Sequence, residues 1–240
     1  MDLLRRVTLG RLSEIFGKKF VQSDVILRAL RYSKKSEELL KTSDKEIVEA
    51  LEAFADGVNQ YIEVNKNKLP MEFTLLGYKP EPWEPVHSLN LIGYMAWDLK
   101  AGWSEFLLED IRKLVDSAKF SELIPDVNLY KSYVFPEYNL SDAVSGSLLS
   151  TAKNLENLGV DVFDASNNWA VSAKKSATGK PLLANDMHLG LNAPGIWYQI
   201  HQVVKGKLNV TGLLLPGQPL IICGHNEQHC LGNDQHLWWI

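Results

Sequence analysis

Residues 164–190 read DASNNWAVSAKKSATGKPLLANDMHLG, and the residue types in this stretch decide the fold class. Two short β-prone runs, residues 169–173 and 181–184, are separated by a polar segment that ends in Thr178-Gly179, a turn signal between strands. Two more runs follow at residues 196–204 and 208–215, divided by Gly206. Upstream the pattern changes to a helical period. Ile47, Leu51, Phe54, Val58 and Ile62 recur at steps of three and four, with Glu49, Glu52 and Asp56 pointing elsewhere, which predicts one apolar helix face. A helical first portion followed by a run of strands implies an α+β protein rather than a doubly wound parallel sheet.

Further helices are expected on either side of this one. Ser43 followed by Glu46 is a capping-box signature for its start. Leu27, Leu30 and residues 37–40 suggest an earlier helix, and Leu107, Leu108, Ile111, Leu114 and Val115 a later one. Residues 76–85, with Gly77 and three prolines, continue none of them. From residue 126 to 164 periodicity fades, and Ser, Asn, Gly and Asp accumulate around residues 141–150, so a linker or surface excursion is expected. The division is therefore a helical region at 1–125, a spacer at 126–165 and a strand region from 166 to 240. No internal repeat is present.

At 240 residues, 45% apolar and 22% charged, the chain has the composition of an ordinary globular protein of one or two units. A formal net charge of −4 gives no reason to expect nucleic acid as a partner, because such binding rests on clustered Lys and Arg. No apolar run is long enough for a membrane span, and the start, Met1-Asp2-Leu3-Leu4-Arg5-Arg6, lacks the apolar stretch of a signal peptide. Cys223 and Cys230 leave the redox compartment open.

Three constellations carry possible chemistry. Ser166, in Asp164-Ala165-Ser166-Asn167-Asn168-Trp169, would be a competent nucleophile as the first residue of a new chain. Its own α-amine, titrating at roughly 7.7–8.0, would then be a base near neutral pH. Read alone, this hexapeptide suits a turn ahead of a strand better. The second is Asn185-Asp186-Met187-His188-Leu189-Gly190, expected as a loop closing a strand. A hairpin would fold His188 back beside Ser166, although a loop in which Asp186 and His188 only hydrogen-bond the turn accounts for the residues as well. The third is Cys223, His225, His229, Cys230 and His236. Sulfur and imidazole suit zinc, yet Gly224-His225-Asn226-Glu227 looks more like a strand ending in a turn, and no metal-ligand spacing is present.

At these residues the sequence closely resembles the penicillin acylase (penicillin amidase) family of N-terminal-nucleophile hydrolases. The ordered series is Ser166-Asn167-Asn168-Trp169, Gly179-Lys180-Pro181-Leu182-Leu183-Ala184-Asn185-Asp186, His188-Leu189-Gly190, Ile196-Trp197-Tyr198, Leu215-Pro216-Gly217 and Gly224-His225-Asn226-Glu227. Gly10-Arg11-Leu12-Ser13-Glu14, Phe54-Ala55-Asp56-Gly57-Val58-Asn59 and Pro80-Glu81-Pro82-Trp83 extend it through the helical half.

The resemblance implies a helical α-chain portion followed by the opening strands of an αββα sandwich. It implies a hydrolase of carbon–nitrogen bonds in linear amides, made as a zymogen that cuts itself between Ala165 and Ser166 into α and β chains. Ser166 would carry the acyl group and His188 would support it. The substrate would be a small-molecule acyl amide, such as a β-lactam with an acyl side chain or an N-acyl homoserine lactone. Met95, Asp98 and Leu99 match positions bordering the acyl pocket, and Trp97, Trp103 and Phe106 lie close by. Glu105 matches a carboxylate that ligates a structural calcium; no organic cofactor is implied. The family is generally exported, to the periplasm or beyond. Its precursors are several times longer, so an incomplete chain is expected, with the register departing beyond Gly232. An inactive fragment or non-catalytic remnant is the alternative.

Overall fold

The computed structural model describes residues 1–98, 104–123, 142–159, 165–190, 193, 195–232 and 238–239. Helices come first: α1 (Asp2–Leu9), α2 (Ser13–Phe16), α3 (Val21–Ala29), α4 (Tyr32–Thr42), α5 (Lys45–Val64), α6 (Met71–Leu75), α7 (Pro85–Asp98), α8 (Ser104–Leu114), α9 (Ser117–Leu123) and α10 (Asp142–Glu156). Strands follow as β1 (Ala165–Val171), β2 (Leu182–His188), β3 (Tyr198–Val204), β4 (Leu208–Leu214), β5 (Cys223–His225), β6 (Cys230–Gly232) and β7 (Trp238–Trp239). Strands β1 and β2 form one antiparallel ribbon, and β3 to β7 form a second antiparallel sheet in sequence order. The architecture is α+β, as the switch of period predicts.

Local chemistry explains the helix boundaries. Helix α1 ends at Gly10, whose φ of 59° lets its N–H reach the carbonyls of Arg6 and Val7. A side chain there would also strike the Asp24 carbonyl at 2.6 Å. The buried Asp24 carboxylate accepts the N–H groups of Leu12 and Ser13 at 2.7 and 2.8 Å, so α3 supplies the acceptors that α2 lacks at its own start. The single helix expected between Leu27 and Leu40 is two, α3 and α4, because Arg31 sits in the left-handed region at φ 59° and turns the chain. The expected helix around Ile47 is α5, with Leu51 and Ala55 buried. Its capping box is not made: Asp44 occupies the cap position without a side-chain bond, and the Ser43 hydroxyl donates back to the Leu39 carbonyl at 2.8 Å.

Residues 76–84 run without helix, as expected, and bring Trp83 into the core at 4% exposure. Asn59 fixes it, accepting the Trp83 N–H at 2.6 Å and donating to its carbonyl at 3.0 Å. The Arg5 guanidinium donates to the Glu81 and Pro82 carbonyls at 2.9 and 3.0 Å. Helix α7 then opens on Pro85, a residue pre-set for a first helical position, and packs against α1, α4 and α5.

The spacer expected at 126–165 is overturned for its described part. Residues 142–156 are helix α10, and Leu148, Ala152 and Leu155 are buried in it. It packs against α3 and α8, with Ala152 and Leu155 joining Val7, Leu12, Phe20 and Leu27 in one apolar cluster. The serines and threonine that hide its period are satisfied within the helix: Ser150 and Thr151 both donate to the Ser147 carbonyl, at 2.9 and 3.0 Å.

Candidate active site

Strand β1 overrides the turn reading of residues 165–168, and β2 runs on through Asn185 to His188 where a loop was expected. The hairpin between them closes through a short helical turn at Ala173–Lys175 and through Gly179 at φ 68°. Its register pairs Ala165 with His188, Ser166 with Met187, Asn167 with Asp186, and Asn168 with Asn185. His188 therefore does return to the start of β1, directly across from the residue that precedes Ser166.

Side chains alternate between the two faces of such a ribbon, and directly paired residues share a face. Ser166, Asn168, Asn185 and Met187 lie on one face; Asn167, Trp169, Asp186 and His188 lie on the other. The approach of Ser166 and His188 is one of backbones, with hydroxyl and imidazole on opposite sides. His188 is exposed, and its Nε2 lies 3.0 Å from Asp186 Oδ2 on the same face.

The serine face is partly covered. Ser166 and Asn168 are half-buried. Strand β6 approaches the Asn168–Asn185 pair at Gly232, where a Cβ would stand 2.8 Å from Asn185 Oδ1 and 3.6 Å from Asn168 Nδ2. Asn185 Oδ1 is buried without a hydrogen-bond partner among the described residues. The role of Asn168, Asn185 and Gly232 as the walls of this face is missed by sequence reasoning. The odd spacing between Asn185 and His188 is the only signal for it, and it becomes readable only once the strand is known to include both.

The remaining expected residues are less gathered. Met95 is half-buried on α7; Asp98 ends that helix, its side chain outside the described residues, and Leu99 and Trp103 lie outside them altogether. The side chains of Trp97 and Phe106 are likewise outside the description. A cavity of about 420 Å³ opens between α4 and α7, lined by Leu30, Tyr32, Leu39, Leu89, Ile92 and Ala96. Neither Met95 nor any ribbon residue lines it, so it is separate from the serine face. Glu105 stands in the first turn of α8, its side chain outside the described residues. Among the described residues no three His, Cys, Asp or Glu side chains gather to hold an ion. Cys223 and Cys230 lie on adjacent strands and form no disulfide, His225 pairs with Cys230, and His236 lies outside the description. As expected, Gly224-His225-Asn226-Glu227 ends a strand in a turn, in which Asn226 Oδ1 accepts the N–H groups of Gln228 and His229.

Set beside known proteins, residues 1–232 match the penicillin amidase family model. The chain belongs to the penicillin amidase family. It is similar to the acyl-homoserine lactone acylase QuiP of Pseudomonas fluorescens (strain Pf0-1), 29% identical over 252 aligned positions that cover 99% of this chain and 31% of the relative. It is similar to the penicillin acylase 2 proenzyme of Pseudomonas sp. (strain SE83), 30% identical with 91% of this chain and 29% of the relative covered. To the penicillin G acylase of Escherichia coli it is 24% identical, covering 94% of this chain and 33% of that protein. The chain thus spans about a third of the length of the curated relatives it matches. No described helix is long and apolar enough to cross a membrane.

Proposed function

We propose that this member of the penicillin amidase family is an amidohydrolase in which Ser166, exposed by self-cleavage after Ala165, opens a linear acyl amide. The observation that carries this reading is the ribbon register, which turns the Ser166 hydroxyl away from His188. Among the described residues of the ribbon no histidine shares the serine's face, and an α-amine on the same residue can act as the base whatever face the side chain takes. The zymogen cut would create that amine.

In this mechanism the Ser166 hydroxyl attacks the acyl carbonyl carbon while its proton passes to the α-amine, directly or through one water. The proton then moves to the departing amine as the amide C–N bond breaks, leaving an ester on Ser166. Water, deprotonated by the same α-amine, attacks the ester and returns the carboxylic acid and the free hydroxyl. His188, across from Ala165, would hold the cleaved strand end in place. No step runs through a metal ion.

Names of relatives, the acyl-homoserine lactone and penicillin acylases, support an N-acylated lactone or β-lactam as substrate. An exported location goes with the same resemblance. Mass analysis of the full chain for a terminus at Ser166, with turnover of a panel of acyl amides, tests the reading. Wild type should show that terminus, and Ser166→Ala should remain uncut with turnover reduced by about a thousandfold or more. Unreduced turnover in Ser166→Ala would refute it.

A further inference from the structure

Helices α4 and α7 do not close fully on each other. On α4 the facing row is Tyr32, Lys35, Ser36 and Leu39; on α7 it is Leu89, Ile92, Gly93 and Ala96. Both rows follow the i, i+3, i+4, i+7 spacing of a single helix face. Large side chains in both rows would interdigitate, but Ser36, Gly93 and Ala96 are small, and the space they leave is the cavity of about 420 Å³. Tyr32 lies over Gly93, where a Cβ would stand 3.3 Å from the tyrosine ring. Leu39 and Ile92 remain 52% and 43% exposed, an apolar edge that a bound alkyl chain would cover. Polar groups interrupt this lining on the α4 side. Lys35 is the one charged residue that lines the cavity, and its ammonium forms no ion pair among the described residues. Ser36 is 5% exposed, and its hydroxyl has no hydrogen-bond partner among the described residues. Buried hydroxyls are ordinarily bonded, so this one leaves a donor free for a group that enters the cavity.

We propose that this cavity binds a single-chain fatty carboxylate, with the alkyl chain lying along the trough between α4 and α7 and the carboxylate meeting Lys35 and the Ser36 hydroxyl. The seven helical steps from Leu89 to Ala96 span about 10 Å, room for a chain of medium length laid along the helix. The volume lies within the roughly 300–1,000 Å³ of small-ligand sites, which are likewise apolar with few polar groups. Charge selects the head group. An alkyl ammonium would meet Lys35 as a like charge, and an uncharged alkane would leave the Ser36 hydroxyl unmet, whereas a carboxylate accepts from both. No aspartate or glutamate lines the cavity to oppose it. The site stands apart from Ser166, because no residue of the β1–β2 ribbon lines it.

Decanoate, titrated into the full chain below its micelle concentration and followed by methyl NMR and calorimetry, tests the site. The expected result is saturable binding, with shifts centred on the methyls of Leu39, Leu89, Ile92 and Ala96 and none at Met187 on the serine face. Octanoate should bind about tenfold more weakly, because two fewer methylenes are buried. Lys35→Glu should weaken decanoate by about fivefold and leave decanol unchanged, a contrast that a merely loosened fold would not give. Ala96→Trp, which sets a bulky ring at an exposed position on the cavity wall, should abolish binding of both ligands while the urea midpoint stays that of wild type. Shifts spread over the serine face, equal affinity for decyltrimethylammonium, or decanoate and decanol responding alike to Lys35→Glu would overturn the proposal. So would a chain that elutes as a dimer and takes up no decanoate, since a second copy would then cover the trough. Should Ala96→Trp unfold, the wild-type shifts and the Lys35→Glu contrast decide. Neither a cut ahead of Ser166 nor its absence bears on these outcomes.

Discussion

Acidification should loosen the start of α7 through one buried imidazole. His87 is 8% exposed, its Nδ1 accepts the Glu84 N–H at 3.0 Å, and its ring meets Trp83 edge-on with centroids 5.4 Å apart. Burial first, and then the positive charge of Arg5, lower its pKa from 6.5 to about 4, against smaller opposing pulls from Glu81 and Asp2. An imidazole in the unfolded chain titrates near 6.5. Between that value and about 4 the unfolded state takes up a proton that the folded state refuses, so stability is complete above pH 6.5 and falls as pH falls through the window. The slope is at most about 1.4 kcal/mol per pH unit, and the loss between about pH 7 and pH 5 is on the order of 1–2 kcal/mol once partial solvent access to the ring is allowed for. The carboxylates Glu14 and Glu81, held below their usual range by hydrogen bonds from Arg11, lose their contribution only at lower pH. The amino terminus of Met1, lowered by burial, contributes equally to wild type and variant. Urea unfolding at both pH values, for wild type and for His87→Asn, isolates the effect. Asparagine can offer a side-chain oxygen near the position of Nδ1, and the wild-type excess stability should shrink by that amount at the lower pH. Parallel pH dependence in the two proteins would refute the reasoning.

Two backbone positions give further tests. Arg31→Gly should stabilise the protein by about 1 kcal/mol, because Arg31 is the one non-glycine residue at positive φ among those described and glycine adopts that conformation without steric cost; an unchanged or lowered urea midpoint would contradict this. Gly232→Ala should cost about 1–3 kcal/mol, since its Cβ would stand 2.8 Å from Asn185 Oδ1, and calorimetry showing no fall in melting temperature would mean that β6 does not press on the serine face.

Much of the fold is legible in local pattern. The apolar spacing of α5 and the change to short β-prone runs after Trp169 survive because each period is a property of the element itself. Helix α10 was hidden because serines and a threonine sit among its apolar residues, and their hydroxyls bond inside the helix rather than announcing a loop. The capping box failed for a related reason: Ser43 found a carbonyl behind it in α4 before it could serve the helix ahead. Splitting of α3 from α4 rests on Arg31, a residue with no intrinsic signal for a left-handed turn.

The candidate site divides in the same way. Sequence by itself determined that Ser166 stands at the helical-to-strand junction and that a hairpin could return His188 to it, since both follow from spacing along the chain. Only tertiary structure decided that the two side chains take opposite faces, because a shift of one residue in register would have put them together. It alone also brought Ser88 to Gly217, 129 positions apart, and Gly232 onto Asn185. Contacts of that range depend on how whole elements pack, and no local period encodes them.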